Sequence, residues 1–452
     1  MFAALIPILL ASATMLPAAP TARDQIWLAV SDIHLNIFDR SPQPRFYGHD
    51  ANLALFESAL AEMKRTVPNP PVVLLPGDFL MHRFAFNVGR NRAGTPDEAG
   101  IATMAAIASA FGRAFPRAQF VITLGNNDAP CGDYRSADGS AYLAAVARIW
   151  EPLVNRGGTA PTFLESFVRT GSYTAALRMR KLRMVVLNTI PFSSEYAGNC
   201  GGDRSQAVSD ELLWLQTTLR TTPPGSRNIA IMHIPPGVDV AATEYAHGFL
   251  AWPFLKAAYN SSLVTILSSA SNHVVFAVAG HAHRFDFRLA GDVPIVVLGS
   301  ISPIYYNNPA FYTMRISPGG SLKDVDVVSF DELTQEWLAA RSFDHTWGIN
   351  RIDAAALASL HARLAADPAV RDRWQAQAYG WPSQRVWRPT WGRRWRIPWC
   401  AQTVLTSGFD ECAGIERRVQ ALRILLVAAA FVAIAVALLA VARLFRRRRR
   451  EA

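Results

Sequence analysis

Five apolar runs in this chain each end on residues able to bind a divalent metal, and this repetition constrains the fold more than any other feature. Runs at 27–30, 72–75, 120–124 and 274–279 read as buried strands. They lead into Asp32-Ile33-His34, Gly77-Asp78, Gly125-Asn126-Asn127-Asp128 and Gly280-His281-Ala282-His283. A fifth run, 229–232, closes on His233. All offer oxygen or imidazole nitrogen, the donors that borderline-hard dications take from proteins. Side chains at strand ends converge on one sheet edge, where α/β proteins place their chemistry. An isolated Asp-x-His carries no weight. Five pieces in this order predict one dinuclear metal site.

Between the strands the hydrophobic period changes to that of helices, at 52–66, 101–115, 142–154 and 210–219. Runs at 173–177 and 184–188, joined by a basic stretch, predict a hairpin. The alternation through about residue 300 predicts an α/β fold, a layered β-sandwich flanked by helices. Beyond residue 350 come helices at 353–366 and 369–378, then an irregular stretch, 381–399. Six Trp lie between Trp374 and Trp399 among Arg385, Arg388, Arg393, Arg394 and Arg396. Packing of a helical appendage explains these rings most simply; a segment at a membrane surface is the sharper alternative.

Both ends point to a membrane. Residues 424–442 carry no charge and are long enough to cross a bilayer. The last ten residues hold six Arg and one Glu, half of the net charge of +10, so the excess gives little support to nucleic-acid binding. Arginines just after an apolar helix predict a cytoplasmic C-terminus and an extracytoplasmic body. Residues 1–22 read as an export signal, although no Lys or Arg precedes the apolar stretch. Four cysteines suit an oxidising compartment, and spacing favours Cys131–Cys200 and Cys400–Cys412 among the three possible pairings. The expected order is signal 1–22, catalytic domain 23–350, appendage and juxtamembrane segment 351–423, transmembrane helix 424–442 and basic tail 443–452.

The ordered set D-x-H, G-D, G-N-N-D, H and G-H-x-H resembles the calcineurin-like metallophosphoesterase superfamily over roughly residues 26–300. Weaker cues resemble its acid sphingomyelinase-like branch, which includes endopolyphosphatases: His82 after Asp78, Pro235-Pro236 after His233, Ser300 to Pro309, and Glu332 to Phe343. The resemblance implies two divalent metal ions (Zn, Mn or Fe). Asp32, His34, Asp78 and His283 would hold one. Asp78, Asn126, His233 and His281 would hold the other, with Asp78 bridging. Such a site turns water into a nucleophile aimed in line at phosphorus and polarises the phosphoryl oxygens. The expected activity is therefore phosphoric ester hydrolysis, foremost of a phosphodiester.

Asn127 departs from the commoner motif, in which His follows the ligand Asn and can donate a proton. Asn127 can only hydrogen-bond the phosphate or orient a neighbour. That moves the general-acid role to His82. Asp128 is expected to orient a ligand imidazole by accepting its hydrogen bond. His273 is expected to be packed or capping, and Arg284 offers a charge beside the last ligand. Lipid headgroups, nucleotides and polyphosphate are all open as substrates, and no room is expected before the first strand for a separate lipid-extracting domain. Phosphomonoester hydrolysis and non-catalytic metal or phosphate sensing are the rival readings.

Overall fold

The computed structural model describes residues 23–451 except positions 46, 180, 203–204, 247 and 387–393; the expected export signal lies outside the described residues. In chain order the strands are β1 (Gln25–Ala29), β2 (Val72–Leu75), β3 (Gln119–Ile122), β4 (Tyr173–Ala176), β5 (Leu182–Leu187), β6 (Arg227–Met232), β7 (Val274–Ala279), β8 (Asp286–Ala290), β9 (Val293–Val297), β10 (Ala310–Ile316), β11 (Leu322–Asp331), β12 (Glu336–Trp337) and β13 (Arg341–Ser342). One sheet runs β12-β11-β10-β1-β2-β3, with β13 also on β11; the other runs β4-β5-β6-β7-β9-β8. The expected hairpin is present, as β4 antiparallel to β5. Within each sheet the strands that end at the predicted ligands are parallel neighbours, β1-β2-β3 and β6-β7. Their carboxyl ends therefore share an edge.

The side-chain alternation of the second sheet divides two cores. Met184, Val186, Ile229, Ile231, Phe276 and Val278 face the first sheet and join its core. Val185, Leu187, Ala230, Met232, Ala277 and Ala279 face outward and are covered by helices Ser205–Arg220 and Ala257–Ser269 through Leu212, Leu215, Leu263 and Leu267. This is the expected sandwich flanked by helices.

Several helix boundaries differ from expectation. The helix predicted from 101 begins at Pro96, because Thr95 and Glu98 form a reciprocal capping box with Pro96 in the first turn. The helix predicted over 210–219 spans Ser205–Arg220. The stretch expected to be irregular ends in a helix, Arg396–Thr403, that runs beyond it. Helices Ala354–Ala366 and Pro368–Ala378 send Leu357, Leu360, Leu364 and Trp374 into the main core, so packing continues across residue 350.

Most of the described Trp rings of the Trp/Arg stretch pack. Trp374 is buried, Trp399 stacks on His361 at 4.3 Å, and Trp381 lies against the main core. Positions 387 and 391 lie outside the described residues. Both favoured disulfides are present, Cys131–Cys200 and Cys400–Cys412. The last helix, Ile415–Glu451, contains a fully exposed apolar span at Ala421–Val441, long enough to cross a membrane.

Candidate metal centre

The chain leaves β1 as an extension of the sheet. Asp32 N and His34 N donate to Gly77 O and Asp78 O at 3.1 and 3.0 Å, laying the first ligand piece along the second. Gly280 N donates to His233 O at 3.0 Å, and His281 N donates to both Asp32 carboxylate oxygens at 3.1 Å. Five of the seven predicted metal-ligating residues sit on left-handed backbone: Asp32, His34, Asp78, His281 and His283, with φ of 50°, 44°, 56°, 70° and 55°. This region disfavours side chains with a Cβ. The turn between β2 and Asp78 needs Gly77, since a Cβ there would lie 2.7 Å from Gly125 N.

All seven residues meet at one place. The Asp78 carboxylate lies between His34 Nε2 at 3.3 Å and His233 Nε2 at 3.2 Å. His283 Nε2 is 3.5 Å from Asp32 Oδ1 and 3.1 Å from His34 Nε2. His233 Nε2 is 3.0 Å from Asn126 Oδ1. Potential ligand atoms of Asp32, His34 and Asp78 form one close group, and those of Asp78, His233 and His281 another. Asp78 is common to both, and His34, His82 and His283 form a third such group.

The surrounding groups fit cations. His34 Nδ1 donates to Leu80 O at 3.0 Å and His233 Nδ1 to Pro76 O at 2.7 Å, which turns each Nε2 toward the centre. Burial opposes protonation of these two rings. Asp78 outweighs it, raising His34 to about 10 and His233 to about 9. Burial raises the Asp78 carboxyl, but the charges of His233 and His34 hold it well below its ordinary value. Burial and the His233 charge push His281 down to about 3, and burial drives His283 down as well. Without metal, protons on His34 and His233 thus stand in for positive charge beside Asp78, and burial raises the Asp32 carboxyl. Two dications would replace those protons with the charge this donor set calls for.

The three residues expected to act around the metals also lie here, one of them differently placed. Among the described residues the Asp128 carboxylate hydrogen-bonds to no imidazole. It accepts backbone N–H bonds from Asp78, Phe79, Leu80 and Gly125 at 2.7–3.1 Å. It therefore clamps the turn that carries Asp78 rather than a ligand ring. Burial, then the Asp78 charge, raises its carboxyl to about 7 against those donors. Asn127 accepts from Asn126 Nδ2 at 2.8 Å, and its backbone N donates to Asp78 Oδ1 at 2.8 Å. Among the described residues its own buried Nδ2 makes no close hydrogen bond, though it lies near enough to the Asp133 carboxylate to act on that group's pKa. His82 stacks on His34 with centroids 4.0 Å apart and binds Asp50 through Nδ1 at 2.8 Å.

A cavity of about 60 Å³ opens above these groups, lined by Asp78, His82, Asn126, Asn127, Asp133, Tyr134, His281, His283 and Tyr305. The sequence motifs did not point to Asp50, Asp133, Tyr134 or Tyr305. Tyr305 lies within the stretch from Ser300 to Pro309, which was the one available signal. Its hydroxyl is 3.5 Å from His82 Nε2, and burial raises its pKa to about 12. Arg284 points elsewhere, paired with Glu244 at 3.7 Å and lying over the Tyr379 ring. His273 is exposed rather than packed.

No protein-family model matches the chain. It is 26% identical over 277 residues to sphingomyelinase phosphodiesterase D of Dictyostelium discoideum, covering 59% of this chain and 57% of that protein. It is also 26% identical over 227 residues to sphingomyelinase phosphodiesterase C of the same organism, covering 48% and 47%. The chain thus spans about half the length of the curated relatives it matches. Among solved structures it is similar to a putative 5'-nucleotidase from Staphylococcus aureus, with 13% identity, 71% and 54% coverage and a TM-score of 0.36. That score bears no weight, and the fold rests on its own topology.

Proposed function

We propose that the chain is a calcineurin-like phosphoesterase, a membrane-tethered phosphodiesterase with two divalent metals. The observation that carries this is Asp78 between His34 and His233 at 3.3 and 3.2 Å, joining two ligand groups through one carboxylate. Asp32, His34, Asp78 and His283 would hold one ion, and Asp78, Asn126, His233 and His281 the other. When bound, the ions would polarise the phosphoryl oxygens and lower the pKa of a water aligned for attack on phosphorus.

The chain's own groups divide the remaining work. Asn126 is a neutral donor, so the site keeps net positive charge toward an anionic phosphate. Asn127 Nδ2, beside Asp133 in the cavity both residues line, donates to a phosphoryl oxygen. His82 delivers a proton from Nε2 to the leaving oxygen, its other nitrogen fixed by Asp50. Tyr305 and Tyr134 wall the cavity and limit water.

The catalytic body covers residues 23–350, with the appendage at 351–423 leading to the membrane helix. The two disulfides favour an extracytoplasmic site, and the arginines after Val441 favour a cytoplasmic C-terminus. The relatives' names make a choline-phosphate lipid one candidate substrate; nucleotide and polyphosphate substrates are the others.

The test is metal analysis of the full chain with rates on a bis-aryl and a mono-aryl phosphate. About two ions per chain and faster bis-aryl turnover are expected. A faster mono-aryl rate would make the chain a phosphomonoesterase. Two bound ions with no turnover on either would leave a binding protein.

A further inference from the structure

Residues 238–254, position 247 apart, form a strap whose two roots lie at the metal centre. It begins just after His233-Ile234-Pro235-Pro236-Gly237 and ends at Phe254, whose ring is 5.0 Å from that of His281. Its arms are tied together. Asp239 N donates to Trp252 O at 2.8 Å, Phe254 N to Gly237 O at 3.0 Å, and Trp252 N to Thr243 Oγ1 at 3.0 Å. Trp252 Nε1 reaches Glu195 at 3.3 Å. The strap is thus a built element with a defined outer face.

That face is apolar. Tyr245 is 89% exposed, Phe249 42%, Leu250 56% and Trp252 41%. Holding large apolar groups in water is unfavourable, and such a cluster marks a binding surface. Its neighbours indicate what covers it. Val238, Val240 and Ala251 of the same strap pack with Ile397, Ala401, Phe409, Ala413, Ile415 and Val419 in one small core. Ile415 opens the helix whose apolar span begins at Ala421, so the strap touches the root of that helix. Six residues of helix rise only about 9 Å. The Cys400–Cys412 disulfide ties together the segments in between.

We propose that the strap docks on the surface of the bilayer that the last helix enters, with Tyr245, Phe249, Leu250 and Trp252 at the headgroup boundary. Tyr and Trp favour that depth, and Phe and Leu supply contact with the acyl chains. The mouth of the metal centre would then face the membrane rather than bulk water. This rests on reading the last helix as membrane-spanning.

The test uses the full chain in phosphatidylcholine–phosphatidylglycerol nanodiscs, with a nitroxide at Leu250→Cys and a control at Leu164→Cys, also exposed. At position 250, oxygen should relax the spin several-fold more effectively, relative to a soluble nickel chelate, than at position 164. Equal accessibility ratios would overturn the proposal. So would dipolar broadening at 250, which would mean that a second copy covers the face. As a check free of new cysteines, brominated lipid should quench wild-type tryptophan fluorescence more than that of Trp252→Phe; equal quenching also counts against docking. Neither readout needs turnover. An inserted strap on an inactive protein would refute the phosphodiesterase and leave the docking; an active protein with a wet strap would do the reverse.

Discussion

The Asp50 carboxylate takes both the ring Nδ1 and the backbone N–H of His82, at 2.8 and 2.9 Å. It sits among buried groups, where burial raises its pKa, yet the hydrogen bond and charge of His82 bring it below the ordinary value. Ser302 Oγ adds a further donor at 3.2 Å. With one nitrogen fixed and the ring face against His34, His82 has one direction left for Nε2, toward the cavity.

This geometry sets the first expectation. His82→Ala should reduce turnover of a diester with an alkyl leaving group by about 10²–10⁴ and spare a nitrophenyl diester, whose leaving group needs little protonation. Asp50→Asn should shift the same ratio in the same direction, by less. Equal losses on both substrates in His82→Ala would remove it from proton donation.

Asp128 holds four backbone N–H groups that have no other acceptor in the turn. Leaving such buried donors unpaired costs about 1–3 kcal/mol each. Asp128→Ala should therefore lose thermal stability. Asp128→Asn, with an NH₂ facing those donors, should fold but bind metal about 10–100-fold more weakly. Metal titration of the two variants against the parent decides this; unchanged affinity in Asp128→Asn would show that the clamp does not support the centre.

Proton release accompanies metal loading. His34 and His233, raised to about 10 and 9 by Asp78 despite their burial, carry protons at pH 7 in the metal-free chain. A cation must displace them, so apparent affinity should rise with pH up to about 9–10 and then level off. Calorimetry at pH 7 in buffers of different ionisation enthalpy should register one to two protons released per chain. No release would contradict the charge balance drawn for the centre.

Glu332 makes a pH prediction away from the metals. Burial, helped by Asp331, raises its carboxyl from 4.5 to about 8, although Tyr47 N–H donates to it. A folded-state pKa above the unfolded one means that the native state holds the proton more tightly. Stability should therefore fall as pH rises from about 4.5 to 8 and stay flat above. Glu332→Gln should abolish that slope and raise the melting temperature at pH 9, since ~1 kcal/mol is worth about 2–4 °C in 150–250 residues and somewhat less in a larger body. Parallel melting curves across this range for both proteins would rule out Glu332 as the source.

The metal centre was legible because each ligand follows an apolar run, and strand ends must converge. Val72–Leu75 and Val274–Ala279 matched their predicted bounds, since buried parallel strands leave an unbroken apolar signature. Asp50 and Tyr305 were not legible. Asp50 meets His82 across 32 residues and Tyr305 meets it across 223, and no local spacing encodes such a contact. Asp128 was identified as important but given the wrong partner, because a motif names an acceptor without naming its donors. The capping box at Thr95 and Glu98 was readable and overlooked, as the apolar period began five residues after the helix did. The helix Arg396–Thr403 was hidden by Trp, Arg and Pro, which blur the amphipathic period.

The left-handed backbone at Asp32, His34, Asp78, His281 and His283 has a consequence for the fitness of the fold. Each such residue gives up about 1–2 kcal/mol that a right-handed conformation would keep. A lineage selected only for heat tolerance would relax this edge, replacing ligands with glycine or asparagine and hardening the protein as it went blind to metal. The rim that would hold the metals is thus also one where the backbone stores strain, so endurance and chemistry trade against each other along a single row of residues.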